Sequence, residues 1–260
     1  MKYNFNGITS TEIKKELDRI ESLQMKAITP IRTPICITFD LSGSMAGYVE
    51  KEIEILDLMF KELSLVPKRI FTLLVVVIHH SEPKIVYFGD LLSLDFESFK
   101  KDFPKRALGR TPLAKSLEAA DEILTTVADV CERNNQWYTI PVFFSVTDSA
   151  ATDSVDDCSV ITEKFKKDIA DGNKLLSEFV TNSNPNGLNF GGYRVKIDEE
   201  NSSKRIKSFM QALRFATSTQ AESNGVFLKG IPHRSTERKQ YNRYKSDEML
   251  NNFKYSFGRN

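Results

Sequence analysis

Three oxygen-bearing side chains, Asp40, Ser42 and Ser44, alternate along the string Phe39-Asp40-Leu41-Ser42-Gly43-Ser44-Met45. The apolar run Ile35 to Phe39 precedes them, and Val49, Ile53, Leu56, Phe60 and Leu63 follow at helical spacing. A strand-loop-helix reading puts all three on one loop at a strand's carboxyl end. Gly43 lets the backbone turn tightly between the serines, and Ser44 stands where a helix N-cap is expected. Oxygen donors gathered this way suit a hard cation such as Mg2+, which takes octahedral oxygen ligands at about 2.1 Å and keeps some of its waters. Two further segments supply matching groups. Gly109-Arg110-Thr111-Pro112-Leu113 puts the Thr111 hydroxyl at the N-cap of a long helix, and Val146-Thr147-Asp148-Ser149 puts Asp148 just past an apolar strand.

The elements that must position these groups follow from hydrophobic period. Ile70 to Ile78 is apolar apart from Thr72 and rich in β-branched residues, which suits a strand buried on both faces. Ser81-Glu82-Pro83 makes a turn, and Lys84 to Phe88 closes a hairpin with that strand. Thr111 to about Cys131 reads as an amphipathic helix with Pro112 at its first position. Thr139 to Val146 reads as a buried strand, and Ser159 to about Phe179 as a helix. A Gly/Asn-rich loop spans 181–192, Tyr193 to Ile197 reads as a short strand, and Ser202 to Ala216 carries a helical stripe. At the other end, Thr9 and Glu12 form a capping-box pattern that opens a leading helix over 9–28. Strands alternating with helices imply an α/β fold in three layers, with a mostly parallel sheet. Ligands of such sheets bind at the carboxyl ends of the strands, where the five candidate residues fall.

Composition narrows the function classes. The 260 residues are 40% hydrophobic and 27% charged, ordinary values for a globular protein. Lys plus Arg is 36 and Asp plus Glu is 35, a net charge of +1, which argues against a whole-surface nucleic-acid binder. Cys36, Cys131 and Cys158 lack metal-type spacing and read as reduced thiols. The longest uninterrupted apolar run is Leu73 to Ile78, far short of the roughly 18 residues of a membrane span. No N-terminal stretch has the apolar core of a signal peptide. The expectation is a cytoplasmic protein.

The ordered set Asp40, Ser42, Ser44, Thr111 and Asp148 resembles the von Willebrand factor A domain with its metal-ion-dependent adhesion site, whose pattern is D-x-S-x-S, then a Thr, then an Asp. The likeness covers about residues 30–218. The strings DLSGSM, GRTPLAKSL and PVFFSVTDSAATDS look most like the bacterial TerY-like group linked to tellurite resistance. Ser149 stands where that family often has Gly. The resemblance implies a Rossmann-like sandwich, helices on both faces of a mostly parallel sheet, with one antiparallel edge strand from the 70–88 hairpin. It implies that Ser42 and Ser44 bind Mg2+ (or Mn2+) directly, and that Thr111 binds it directly or through water. Asp40 and Asp148 would act through water and by orienting the hydroxyls. A Glu or Asp carboxylate from a protein partner would then complete the coordination. The implied setting is bacterial stress response or defence, beside Ser/Thr kinases and phosphatases.

The expected organisation is a helical extension over 1–29, the A-type domain over 30–228, and a basic segment over 229–260. That segment holds eight Lys/Arg against three Asp/Glu. Arg234, Arg238, Lys239, Arg243 and Lys245 are interleaved with Tyr241 and Tyr244, a pattern that suits single-stranded nucleic acid or an acidic partner, and equally a solvated tail. A metal-dependent hydrolase is the third reading. It lacks support: no P-loop, no nucleophile elbow, no H-E-x-x-H, and Ser42 stands where an aspartyl phosphatase carries its second Asp. The sequence therefore reads as a non-enzymatic module. His79, His80 and Trp137 read as structural, and Asp153 and Asp156 as acidic residues at a helix N-terminus.

Overall fold

The computed structural model describes residues 31–65, 70–79, 81–133, 141–171, 174–181 and 187–211. The 1–29 extension, the 229–260 segment, His80 and Trp137 lie outside them. The strands are β1 (Ile31–Asp40), β2 (Ile70–His79), β3 (Pro83–Asp90), β4 (Val142–Thr147), β5 (Leu175–Val180) and β6 (Tyr193–Lys196). The helices are α1 (Val49–Leu63), α2 (Phe96–Asp102), α3 (Leu113–Arg133) and α4 (Val155–Ala170). Residues 202–211 form a further helix. None of the described helices is long and apolar enough to cross a membrane.

One sheet carries the strands in the order β3-β2-β1-β4-β5-β6. Every pairing is parallel except β2 with β3, so the expected hairpin supplies an antiparallel edge. Residues on β1 and β4 alternate between the two faces, as the pleat requires. Ile37, Phe39 and Phe144 join a core with Met59 of α1, Phe99 of α2 and Phe209. Cys36 and Phe143 join a second core with Leu117 and Leu124 of α3 and Phe165 of α4. Cys36 and Cys158 are free thiols and both are buried. Helices therefore cover both faces. The consequence for the site is register: Phe39 is paired with Val146, so the carboxyl ends of β1 and β4 finish side by side.

One expectation fails here. The helix expected to run from Ser159 to Phe179 begins earlier, at Val155, and stops at Ala170, where the Asp171 N–H bonds back to Lys167. Residues 175–180 are instead strand β5, hydrogen-bonded between β4 and β6. A short apolar run does not distinguish helix from buried strand by period alone. Tertiary pairing decides it: Leu176, Phe179 and Val180 are buried within the sheet. Gly192 admits β6 beside β5, since a Cβ there would lie 2.5 Å from the Leu176 carbonyl oxygen.

A buried ion pair fastens this edge. Lys174, just before β5, bonds Asp121 of α3 and Asp168 of α4, the latter at 2.6 Å, and its ammonium lies 4.8 Å from the Phe165 ring centroid. Asp121 is buried and also takes Lys164 at 2.6 Å. Replacing Lys174 by Met leaves Asp121 short of its buried partner. The expected loss of stability is about 3 kcal/mol, read as a lower urea midpoint. A variant within experimental error of the parent would show that this pair does not hold α3, α4 and β5 together.

Candidate metal centre

The end of β1 places Asp40 out of water, at 0% exposure. A buried carboxylate needs donors, and two are supplied. Oδ1 accepts the Ser42 N–H at 3.0 Å, and Oδ2 accepts the Thr147 hydroxyl at 2.7 Å from the neighbouring end of β4. Thr147 Oγ1 in turn accepts the Ser149 N–H at 2.9 Å. The Asp40 carboxylate thus fixes both its own loop and the turn that carries Asp148. Asp148 is itself buried, and its Oδ1 accepts the Ala150 N–H at 2.8 Å.

The third loop is bonded to the other two. Gly43 N–H donates to the Gly109 carbonyl at 3.2 Å, and Leu108 N–H to the Leu41 carbonyl at 2.7 Å. Thr111, buried, donates its N–H to Thr152 Oγ1 at 3.1 Å and accepts the Thr152 N–H at 2.8 Å. The loops bearing Asp40, Thr111 and Asp148 therefore form one hydrogen-bonded unit at the carboxyl edge of the sheet. Ser42 Oγ and Ser44 Oγ lie 3.1 Å apart within it, Ser42 buried and Ser44 exposed.

Two capping expectations are corrected. Ser44 is not an N-cap: it lies inside a 3-10 turn, Gly43–Met45, and α1 starts only at Val49. Its hydroxyl meets Ser42 instead of a helix N–H. Thr111 does not cap α3 either. Asp153 reaches across from the Asp148 loop and accepts the N–H groups of Ala114 (3.0 Å) and Lys115 (3.3 Å). One carboxylate there satisfies two orphan donors and meets the positive end of the helix. Asp156 sits in the first turn of α4, as expected.

Other participants escaped the sequence reading. Thr147 looks like one more β-branched strand residue. Ser149 has φ of 63°, a left-handed conformation uncommon outside glycine. It is held there by Thr147 and by Arg194 of β6, whose guanidinium donates to Ser149 Oγ at 3.3 Å and to Glu178 at 3.2 Å. Burial pushes the Glu178 carboxyl up, and Arg194 with the N–H groups of Phe190 and Gly192 draws it back. Glu52, in the first turn of α1, is fully buried, and neither of its carboxyl oxygens has a hydrogen-bond partner among the described residues. Nothing in its sequence context marks it, since acidic residues are common in first turns.

The rim is electrically divided. Residues 100–115 carry six Lys/Arg against one Asp. Arg106 and Arg110 are exposed, and neither forms an ion pair with a described residue. Residues 153–163, which meet this segment where Asp153 accepts the Lys115 N–H, carry four Asp/Glu and no Lys/Arg. The basic segment exposes Leu108, and the acidic one exposes Val155 and Val160. A groove of about 510 Å³ lies beside the Asp148 loop, lined by residues including Ser149, Ala151, Val155 and Leu188.

Among the described residues, no three His, Cys, Asp or Glu side chains converge to hold a metal. A cation here would depend on hydroxyl oxygens. Adjacent ligands of an octahedral ion at about 2.1 Å stand about 3.0 Å apart, and the Ser42–Ser44 separation of 3.1 Å fits that edge. The donor set is neutral in front and anionic behind, which also fits a hard divalent cation.

No family model matches the chain, and no curated protein does. Solved structures show distant likeness. The VWA domain of SpRpn10 is 10% identical, covering 70% of this chain and 95% of that one, with a TM-score of 0.47. BatB from Bacteroides thetaiotaomicron is 13% identical over 73% and 99%, at 0.45. The manganese-loaded TRAP protein of Plasmodium vivax is 17% identical over 63% and 61%, at 0.39. The strand order and directions, rather than these overlaps, decide the architecture. The fold is a three-layer α/β sandwich, with helices on both faces of a mostly parallel sheet and one antiparallel edge strand.

Thr147→Val keeps the shape and removes the hydroxyl, leaving Asp40 Oδ2 and the Ser149 N–H each without this partner. The expected cost is about 2 kcal/mol, measured by urea unfolding, with Thr147→Ser close to the parent. Equal losses in both variants would place the effect in packing and not in the hydrogen bonds.

Proposed function

We propose that this chain is a divalent-cation-dependent protein-binding module whose ion sits at the Asp40, Ser42, Ser44, Thr111, Asp148 cluster. The observation that carries the reading is the pair of serine hydroxyls at one octahedral edge, set in front of the buried Asp40. Ser42 and Ser44 hold the ion through Oγ, and Thr111 holds it directly or through water. Asp40 and Asp148 orient the hydroxyls and balance charge. When bound, the ion supplies an electrophilic position that takes an anionic oxygen. Because the direct protein ligands are neutral, most of its charge remains for a ligand from outside.

A carboxylate of a partner protein is that ligand. Arg106 and Arg110, exposed and without an ion pair to any described residue, support an anionic partner, and the exposed Leu108 and Val155 supply apolar contact. The module is non-enzymatic, and Mg2+ is the ion in the cell, with Mn2+ as substitute. The likeness of DLSGSM and GRTPLAKSL to the TerY-like group supports a setting in a bacterial stress or defence system, in the cytoplasm, beside a Ser/Thr kinase or phosphatase. The nucleic-acid reading rests on 229–260, outside the described residues.

The test is retention of a partner from lysate of the source cells by three baits: the protein with Mg2+, the protein with EDTA, and Asp40→Ala with Mg2+. A protein held by the first alone is the expected result, with calorimetric Mg2+ binding lost in a Ser42→Ala/Ser44→Ala double variant. The same catch in all three lanes, or Mg2+ binding that survives the double substitution, would sink the reading.

A further inference from the structure

Glu52 contradicts the packing of the helix that carries it. The buried side of α1 comprises Val49, Glu52, Ile55, Leu56, Met59, Glu62 and Leu63, a stripe at helical spacing against the sheet. A hydrophobic residue is the ordinary choice at its second position. Glu62, the other carboxylate on the stripe, lies near the far end of the helix and takes Gln211 Nε2 at 3.3 Å. Glu52 has 0% exposure, and among the described residues neither of its oxygens has a hydrogen-bond partner. Neighbouring lysines of α1 are committed elsewhere, Lys51 to Glu54 and Ser203, and Lys61 to Asp57. The Glu52 N–H bonds the Tyr48 carbonyl at 2.9 Å, the Tyr48 N–H that of Met45 at 2.8 Å and the Met45 N–H that of Ser42 at 3.0 Å, so the backbone ties Glu52 to the serine loop in three steps. Burial, and next the charge of Asp40, push the Glu52 carboxyl well above the usual range. A buried orphan carboxylate is costly. Departures of this kind from local packing rules concentrate at functional sites.

We propose that Glu52 is a positioning residue of the cation site, a buried carboxyl in the first turn of the helix that follows the serine loop, which raises affinity for a divalent cation without ligating it. The inference rests on the cation-site reading above. Serine and threonine hydroxyls bring no charge, so the ion's attraction to the protein comes from nearby carboxylates. In the interior, where screening by salt is weak, one more such group counts strongly once the entering cation has driven its proton out to solvent. It acts through the field, or through a water ligand of the ion. The same group burdens the cation-free protein, which retains an unpartnered acid in its core.

The experiment compares the full chain with Glu52→Gln, Glu52→Met and Asp40→Ala. Thermal unfolding is measured in EDTA and in Mg2+, and Mg2+ affinity is measured by calorimetry, with Mn2+ as a second probe. Ligand binding to the native state alone raises the unfolding midpoint. The parent is expected to gain stability with Mg2+, and Asp40→Ala to gain none. Glu52→Gln is expected to bind Mg2+ 10- to 100-fold more weakly, the range for outer-shell partners of a metal, while unfolding in EDTA no earlier than the parent. Glu52→Met should behave alike, showing that a carboxylate and not a polar group is needed. Parent-like affinity in both Glu52 variants, with Asp40→Ala inactive, would overturn the role of Glu52 and leave the cation site standing. Variants that unfold earlier than the parent in EDTA would make Glu52 a structural residue, which also overturns the proposal. No response of the parent to either ion would remove the cation site itself and the inference with it.

Discussion

Withdrawing the Asp40 carboxylate from water is the constraint on which the rest of the site depends. An ionised acid at the edge of an apolar sheet persists only where donors are built around it. The loop of β1 supplies the first, through the Ser42 N–H, and the end of β4 supplies the second, through the Thr147 hydroxyl. The second is possible because β1 and β4 are adjacent and parallel, with Phe39 opposite Val146. Moving β4 by one residue would turn Thr147 to the other face. Sheet register and site geometry are one fact here, enforced by the phenylalanines that pack on each face of these two strands.

From that anchor the other loops follow by short hydrogen-bonded steps. Thr147 passes the restraint to Ser149, and Arg194 fastens Ser149 to Glu178 and β6. Gly109 and Leu108 clamp the serine loop, and Thr152 ties the Thr111 segment to the Asp148 loop. The outcome is a rigid cradle with hydroxyls in front and buried acids behind. Such preorganisation suits an ion bound weakly by neutral donors, because little reorganisation is left to oppose binding. It also leaves Arg106 and Arg110 exposed next to the Leu108 clamp, where an anionic ligand would meet their charge.

Much of this was legible in the chain. The D-x-S-x-S string after an apolar run, with Thr111 and Asp148 at later strand ends, points to three loops at one edge of the sheet, and hydrogen bonds join those loops there. Hydrophobic period located the strands of the β1, β2 and β4 region and the hairpin, because buried parallel strands leave long apolar runs. The β5 segment was read as helix because Leu175, Leu176 and Phe179 fit either period over so short a run. The capping roles of Ser44 and Thr111 were misread for a related reason. A cap depends on where the helix begins, and Asp153, 39 residues from Ala114 in sequence, took the role at α3.

What the sequence by itself determined is the inventory: oxygen donors in order, on loops that follow strands, in a fold that brings strand ends together. Residue type and short-range spacing suffice for that, since they depend on local sterics and periodicity. What only the tertiary structure decided is which donors face which acids. Thr147 on Asp40, Arg194 on Ser149 and the orphaned carboxylate of Glu52 all involve groups far apart in the chain or on the buried side of a helix. Burial and long-range hydrogen bonding are properties of the packed state. No spacing rule along the chain encodes whether a given Glu ends in water or in the core.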